Sequence, residues 1–83
     1  MKLETFEGSV SSRIEALIVD RIPDAKVEVT GAGGHFSIVV VSQEFAGKSP
    51  VAKQRLVLTA ITPLMSGANA PVHAVDSLKT LTP

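Results

Sequence analysis

The chain has 83 residues, 45% of them hydrophobic and 19% charged, with eight basic and eight acidic side chains, no cysteine, no tryptophan and no tyrosine. That length makes one small domain, which buries about 60–65% of its unfolded surface. Zero formal net charge removes a strong electrostatic drive onto nucleic acid or anionic membrane, and the missing cysteines rule out disulfides, zinc fingers and a self-contained iron–sulfur centre.

Residues 1–8 are polar and broken by Gly8, so a loose N-terminal lead-in to the single domain 1–83 is expected. Met1-Lys2-Leu3-Glu4-Thr5 carries acid where a secretory signal would be apolar, and the longest apolar run, residues 38–41, is far too short to span a bilayer. A cytoplasmic protein with no membrane association is the expectation. Ser9 can cap a helix, and Val10, Ile14, Leu17, Ile18 and Ile22 recur at three- and four-residue spacings, which makes one apolar helical face of about three turns. Arg13, Glu15 and Asp20 take the other side, and Pro23-Asp24 ends the helix.

Residues 25–30 alternate, with Val27 and Val29 on one side and Lys26, Glu28 and Thr30 on the other, as in a half-buried strand. Gly31-Ala32-Gly33-Gly34 then reverses the chain into a second strand over residues 35–42, which forms a hairpin. Ile38, Val39, Val40 and Val41 are apolar on both faces, so this strand belongs in the middle of a sheet. Residues 43–48 make a short connection anchored by Phe45. Ser49-Pro50 is a strong helix start, since the missing N–H of proline costs nothing in the first turn. Val51, Leu58, Ile61, Leu64 and Met65 supply that helix's apolar face, aided by Leu56, Val57 and Ala60. Pro63 removes the bond to the Thr59 carbonyl and is expected to kink it. Gly67-Ala68-Asn69-Ala70-Pro71 ends the helix, and residues 72–80 form a third strand.

The order is therefore α-β-β-α-β. The second strand, second helix and third strand form a crossover unit, right-handed if the strands pair in parallel. Val27 and Val29 alone cannot close a core, so both helices should cover one face of the sheet. The expected fold is α+β, a two-layer sandwich with a three-stranded mixed sheet and its helices on one face.

His35 and His73 are the only good nitrogen ligands, and each opens an apolar run read as a strand. Adjacent parallel strands lie about 4.8 Å apart, so their first residues could share a ligand. For each histidine the plain alternative is structural: His73, between Val72 and Ala74, would bond a backbone carbonyl through its ring. Composition alone favours that role, and two histidines cannot close a four-ligand zinc site. The Gly31–Gly34 stretch matches the G-x-x-G of nucleic-acid clamps, but here it joins two strands rather than two helices, and the structural reading prevails. Lys48, Lys53, Arg55 and Lys79 could form a basic patch near the second helix, facing either an acidic protein or DNA. No nucleophile elbow, phosphate loop or carboxylate pair is present. Asp76, three residues from His73 on the same strand, should face the opposite side, so no triad forms. The chain reads as a non-enzyme.

His35-Phe36-x-x-Val39-Val40-Val41-Ser42-x-x-Phe45-x-Gly47, then Val51-x-x-Gln54-Arg55-x-Val57, then Val72-His73-Ala74-Val75 and Thr80-x-Thr82-Pro83 together resemble the BolA family. Gln54 and the Thr62-Pro63-Leu64-Met65 string are similar to its YrbA-like branch, which carries proline there. The resemblance implies a type II KH-like fold without the G-x-x-G clamp. It also implies partnership with a monothiol glutaredoxin and a [2Fe–2S] cluster held between the two proteins, in iron homeostasis or cluster trafficking. The glutaredoxin cysteine and a glutathione thiolate would supply sulfur, while this chain would supply His73 of its V-H-A motif and a second ligand, for which His35 is the available residue. Isolated, the chain would hold no cofactor and would be a monomer or a weak homodimer. The alternative that the resemblance carries is a transcriptional regulator binding DNA through Lys53 and Arg55.

Overall fold

A computed structural model of the chain describes residues 6–83. Helix α1 spans Phe6–Arg21, strand β1 Lys26–Ala32, strand β2 His35–Val41, a 3-10 turn Gln43–Phe45, helix α2 Pro50–Ala60, helix α3 Thr62–Met65 and strand β3 Ala74–Leu81. Of the expected loose segment, residues 1–5 lie outside the described residues, and residues 6–8 are helical. Gly8 sits in the first turn of α1, where backbone N–H groups lack intrahelical partners in any case. Ser9, the expected cap, thus lies within the helix. None of the helices over the described residues is long and apolar enough to cross a membrane.

The sheet order is β1-β2-β3, with β1 and β2 antiparallel and β2 and β3 parallel. The doubly apolar strand is central, as its pattern predicts. Gly33 and Gly34, at φ 66° and 85°, make the two-residue hairpin turn, so Gly31 and Ala32 lie inside β1 rather than in the loop. Phe36, Ile38 and Val40 point to the helix side and are buried. Ile14, Ile18 and Ile22 of α1 and its exit meet them, with Val57, Ala60 and Ile61 from α2 and its end. Val27 and Val29 pack against the same cluster from β1. One apolar layer thus joins the sheet to helices on a single face, the expected two-layer sandwich.

Three details depart from expectation. Val51 does not join the core but is 57% exposed, because the buried side of α2 runs through Val57, Ala60 and Ile61. Pro63 does more than kink the helix: α2 stops at Ala60, Ile61 breaks the helical dihedrals at φ −101° and ψ 7°, and Pro63 falls in the first turn of α3. Finally, β3 starts at Ala74 instead of residue 72, and it carries a bulge. The register steps from Phe36 opposite Val75 to Ser37 opposite Ser77, so Asp76 has no partner in the ladder. The reason is apolar spacing. Val75 and Leu78 both pack on the core, yet they lie three apart, and a strand of period two presents only even spacings to one face. One extra residue restores the phase.

Asp24 locks the connection after β2. The buried Ser42 hydroxyl donates to Asp24 Oδ1 at 2.6 Å, and the Gln43 N–H donates to Oδ2 at 2.9 Å. The Ser42 oxygen in turn accepts from the Glu44 N–H at 2.9 Å, which caps the 3-10 turn and carries Phe45 into the core. Those bonds, the serine hydroxyl's above all, hold the Asp24 carboxyl below the usual carboxylate range.

Candidate functional site

His35 is the first residue of β2, and alternation with buried Phe36 places it on the open face of the sheet, away from the helices. Its side chain is 59% exposed, and its Nδ1 lies 3.2 Å from Oδ1 of Asp76. Asp76 thus contacts His35 and forms no hydrogen bond with His73 among the described residues. Asp76 is the bulge residue, outside the ladder, and its carboxylate reaches the neighbouring strand. Sequence reasoning weighed Asp76 only against His73 and set it aside; the three-residue interval between Val75 and Leu78 was the available signal for its bulge.

His73 sits immediately before β3. Its backbone N–H and that of Ala74 both donate to the Gly34 carbonyl, at 2.8 and 3.0 Å, and so tie the entrance of β3 to the hairpin turn. The side chain is exposed, and its ring lies against Gly34: a Cβ built there would stand 2.7 Å from Nδ1 and 2.9 Å from Cγ. Glycine at position 34 therefore serves two demands, the positive φ of the turn and the space taken by the imidazole. The expected ring-to-carbonyl bond of a structural histidine is not found among the described residues; the backbone amide makes that link instead.

Parallel pairing brings the two histidines to the starting ends of adjacent strands. His35 is opposite Ala74 in the ladder, and the His73 N–H donates to the Gly34 carbonyl just before both strands begin. Both are exposed imidazoles beside the same turn. Among the described residues no group of three or more histidine, cysteine or acidic side chains could hold a metal ion. Two histidines without sulfur cannot close a metal site by themselves.

The basic residues do not gather as one patch. Arg55 and Lys48 line a surface depression of about 410 Å³ with Arg21, over the exposed Val51. Lys53 is half-buried and does not line it. Lys79 pairs with Val39 on the open face of the sheet, opposite the helices, which separates it from the other cations. No aromatic ring lines the depression among the described residues.

Comparison with known proteins converges on one family. A family model described as BolA-like protein matches residues 13–83. The acid stress protein IbaG of Escherichia coli (strain K12) is 35% identical over 74 residues, covering 88% of this chain and 83% of that protein. Among solved structures, the BolA domain of SufE1 from Arabidopsis thaliana superposes with a TM-score of 0.76 at 26% identity, covering 92% of this chain and 94% of that one. Yeast Fra2 gives a TM-score of 0.65 at 33% identity, covering 96% and 82%. With the family model matched over residues 13–83 and a 35% identical relative covered over most of its length, the chain belongs to the BolA-like family.

Proposed function

We propose that the chain is a non-enzymatic cytoplasmic adaptor that binds a monothiol glutaredoxin and shares a [2Fe–2S] cluster with it and glutathione, in iron homeostasis or cluster trafficking. The observation that carries this reading is that His35 and His73, both exposed, stand at the starting ends of adjacent parallel strands. Family membership supports it. His73 is the better-built of the two: its backbone is pinned by the Gly34 carbonyl, and its ring rests where no Cβ intrudes. His35 offers the second nitrogen from the open face. A [2Fe–2S] cluster, when bound, supplies one-electron redox chemistry, and histidine ligation raises its potential relative to thiolate alone. With no cysteine in the chain, every sulfur ligand must come from the partner side.

Reconstitution of the purified chain with a monothiol glutaredoxin, glutathione, iron and sulfide tests the reading. A coloured complex is expected only when all components are present, and His73→Ala should lose the histidine-type cluster spectrum while keeping the fold. An unchanged spectrum in that variant refutes it. The nucleic-acid reading draws on one observation, the Arg21, Lys48 and Arg55 rim. It requires binding that weakens steeply with salt and depends on Arg55 and Lys53. No gel shift at low salt would remove it.

A further inference from the structure

Asp76 has no role in the ladder, no place in the core and no part in the proposed ligand pair. Its one polar contact among the described residues is with His35 Nδ1, at 3.2 Å, and both side chains are more than half exposed. An exposed pair of this kind adds little to stability. Its consequence is chemical. A neutral imidazole carries its proton on one nitrogen, and the other nitrogen holds a lone pair. A lone pair on Nδ1 would face the carboxylate oxygen and repel it; an N–H there donates to it.

We propose that Asp76 is a positioning residue for His35: its carboxylate accepts the Nδ1–H, sets that tautomer and ring orientation, and leaves Nε2 free as the donor atom. Asp76 is the bulge residue: it has no partner in the ladder, which would otherwise pair it with Ser37. Carboxylates that bond the distal nitrogen of a ligating histidine commonly tune its basicity and direction. The tautomer is a property of the free chain; what Nε2 holds rests on the adaptor reading above.

The test begins without any partner. In the uniformly 15N-labelled chain at about pH 8, where an unperturbed histidine is neutral, long-range 1H–15N correlations report each ring's tautomer. His35 is expected in the Nδ1–H form, Asp76→Ala should shift it toward Nε2–H, and Asp76→Glu should retain Nδ1–H. His73 should be unchanged throughout. A His35 ring that is Nε2–H in the unsubstituted chain, or indifferent to Asp76→Ala, overturns the proposal. In the complex reconstituted with glutaredoxin, Asp76→Ala should lose its cluster about tenfold faster, the low end for outer partners of metal ligands because the pair is exposed. A tautomer shift with unchanged cluster loss overturns the positioning role. Failure of the unsubstituted chain to form any cluster instead refutes the adaptor reading and leaves the tautomer result to decide the Asp76–His35 assignment.

Discussion

Gly34→Ala tests the contact between the hairpin turn and His73 most directly. Two costs apply. An L-residue held at φ 85° is strained by about 1–2 kcal/mol. The new Cβ, 2.7 Å from Nδ1 and 2.9 Å from Cγ, must also push the ring away, and an off-rotamer side chain costs about 0.5–1.5 kcal/mol. Against these, alanine restricts the unfolded chain and returns about 0.4–1 kcal/mol. The net expectation is a destabilisation of about 1–2 kcal/mol. Gly33→Ala is the control, because Gly33 has a positive φ of 66° but nothing within 4 Å of a built Cβ. It should lose about 1 kcal/mol or less by the same reckoning. Urea unfolding at a slope of about 1 kcal/mol/M separates the two midpoints by roughly 1 M. The His73 ring resonances should move in Gly34→Ala alone. Equal midpoints for the two variants, with the His73 signals unmoved in both, would falsify the packing argument.

The remaining predictions concern the scaffold. Asp24 has a carboxyl pKa lowered on folding by the Ser42 hydroxyl and then the Gln43 amide, so its contribution is fully present above the unfolded carboxylate value near 3.8 and is lost as pH falls through the lower folded value. Asp24→Asn should therefore reduce the urea midpoint at pH 7, and the gap to the unsubstituted chain should shrink below about pH 4, where the unfolded carboxylate begins to protonate ahead of the folded one; a gap of constant size across that range counts against the linkage. Ser49→Ala removes the cap bond from the Ala52 N–H at 3.1 Å and should cost about 1 kcal/mol, read as a lower melting temperature. Phe45 is completely buried, and Phe45→Ala should cost about 3–5 kcal/mol, a large share of the stability of a domain this size, measured by denaturant unfolding.

Much of the scaffold follows from rules acting over a few residues. The Ile14, Ile18 and Ile22 spacing makes a helical face, Ser49-Pro50 starts a helix with its cap bond in place, and paired glycines with positive φ close the hairpin. The central place of β2 follows from its two apolar faces. Each of these needs only the neighbouring sequence, because a side chain's periodicity or a turn's dihedrals are local properties. Pro63 was legible as a disturbance, yet whether it kinks or divides the helix depends on how Ile61 and Leu64 are each drawn into the core.

The candidate site was legible only in part. The identity of the two histidines and the chance of their sharing an edge were readable, and the V-H-A string pointed to His73. Tertiary structure alone decided that His73 stands before the strand, against Gly34, and that His35 meets Asp76 from 41 residues away. The parallel pairing of β2 with β3 creates both contacts, and the core sets its register by requiring Val75 and Leu78 on the same side. Local sequence specifies which residues can be ligands; packing across the crossover decides where their side chains stand and which groups they meet.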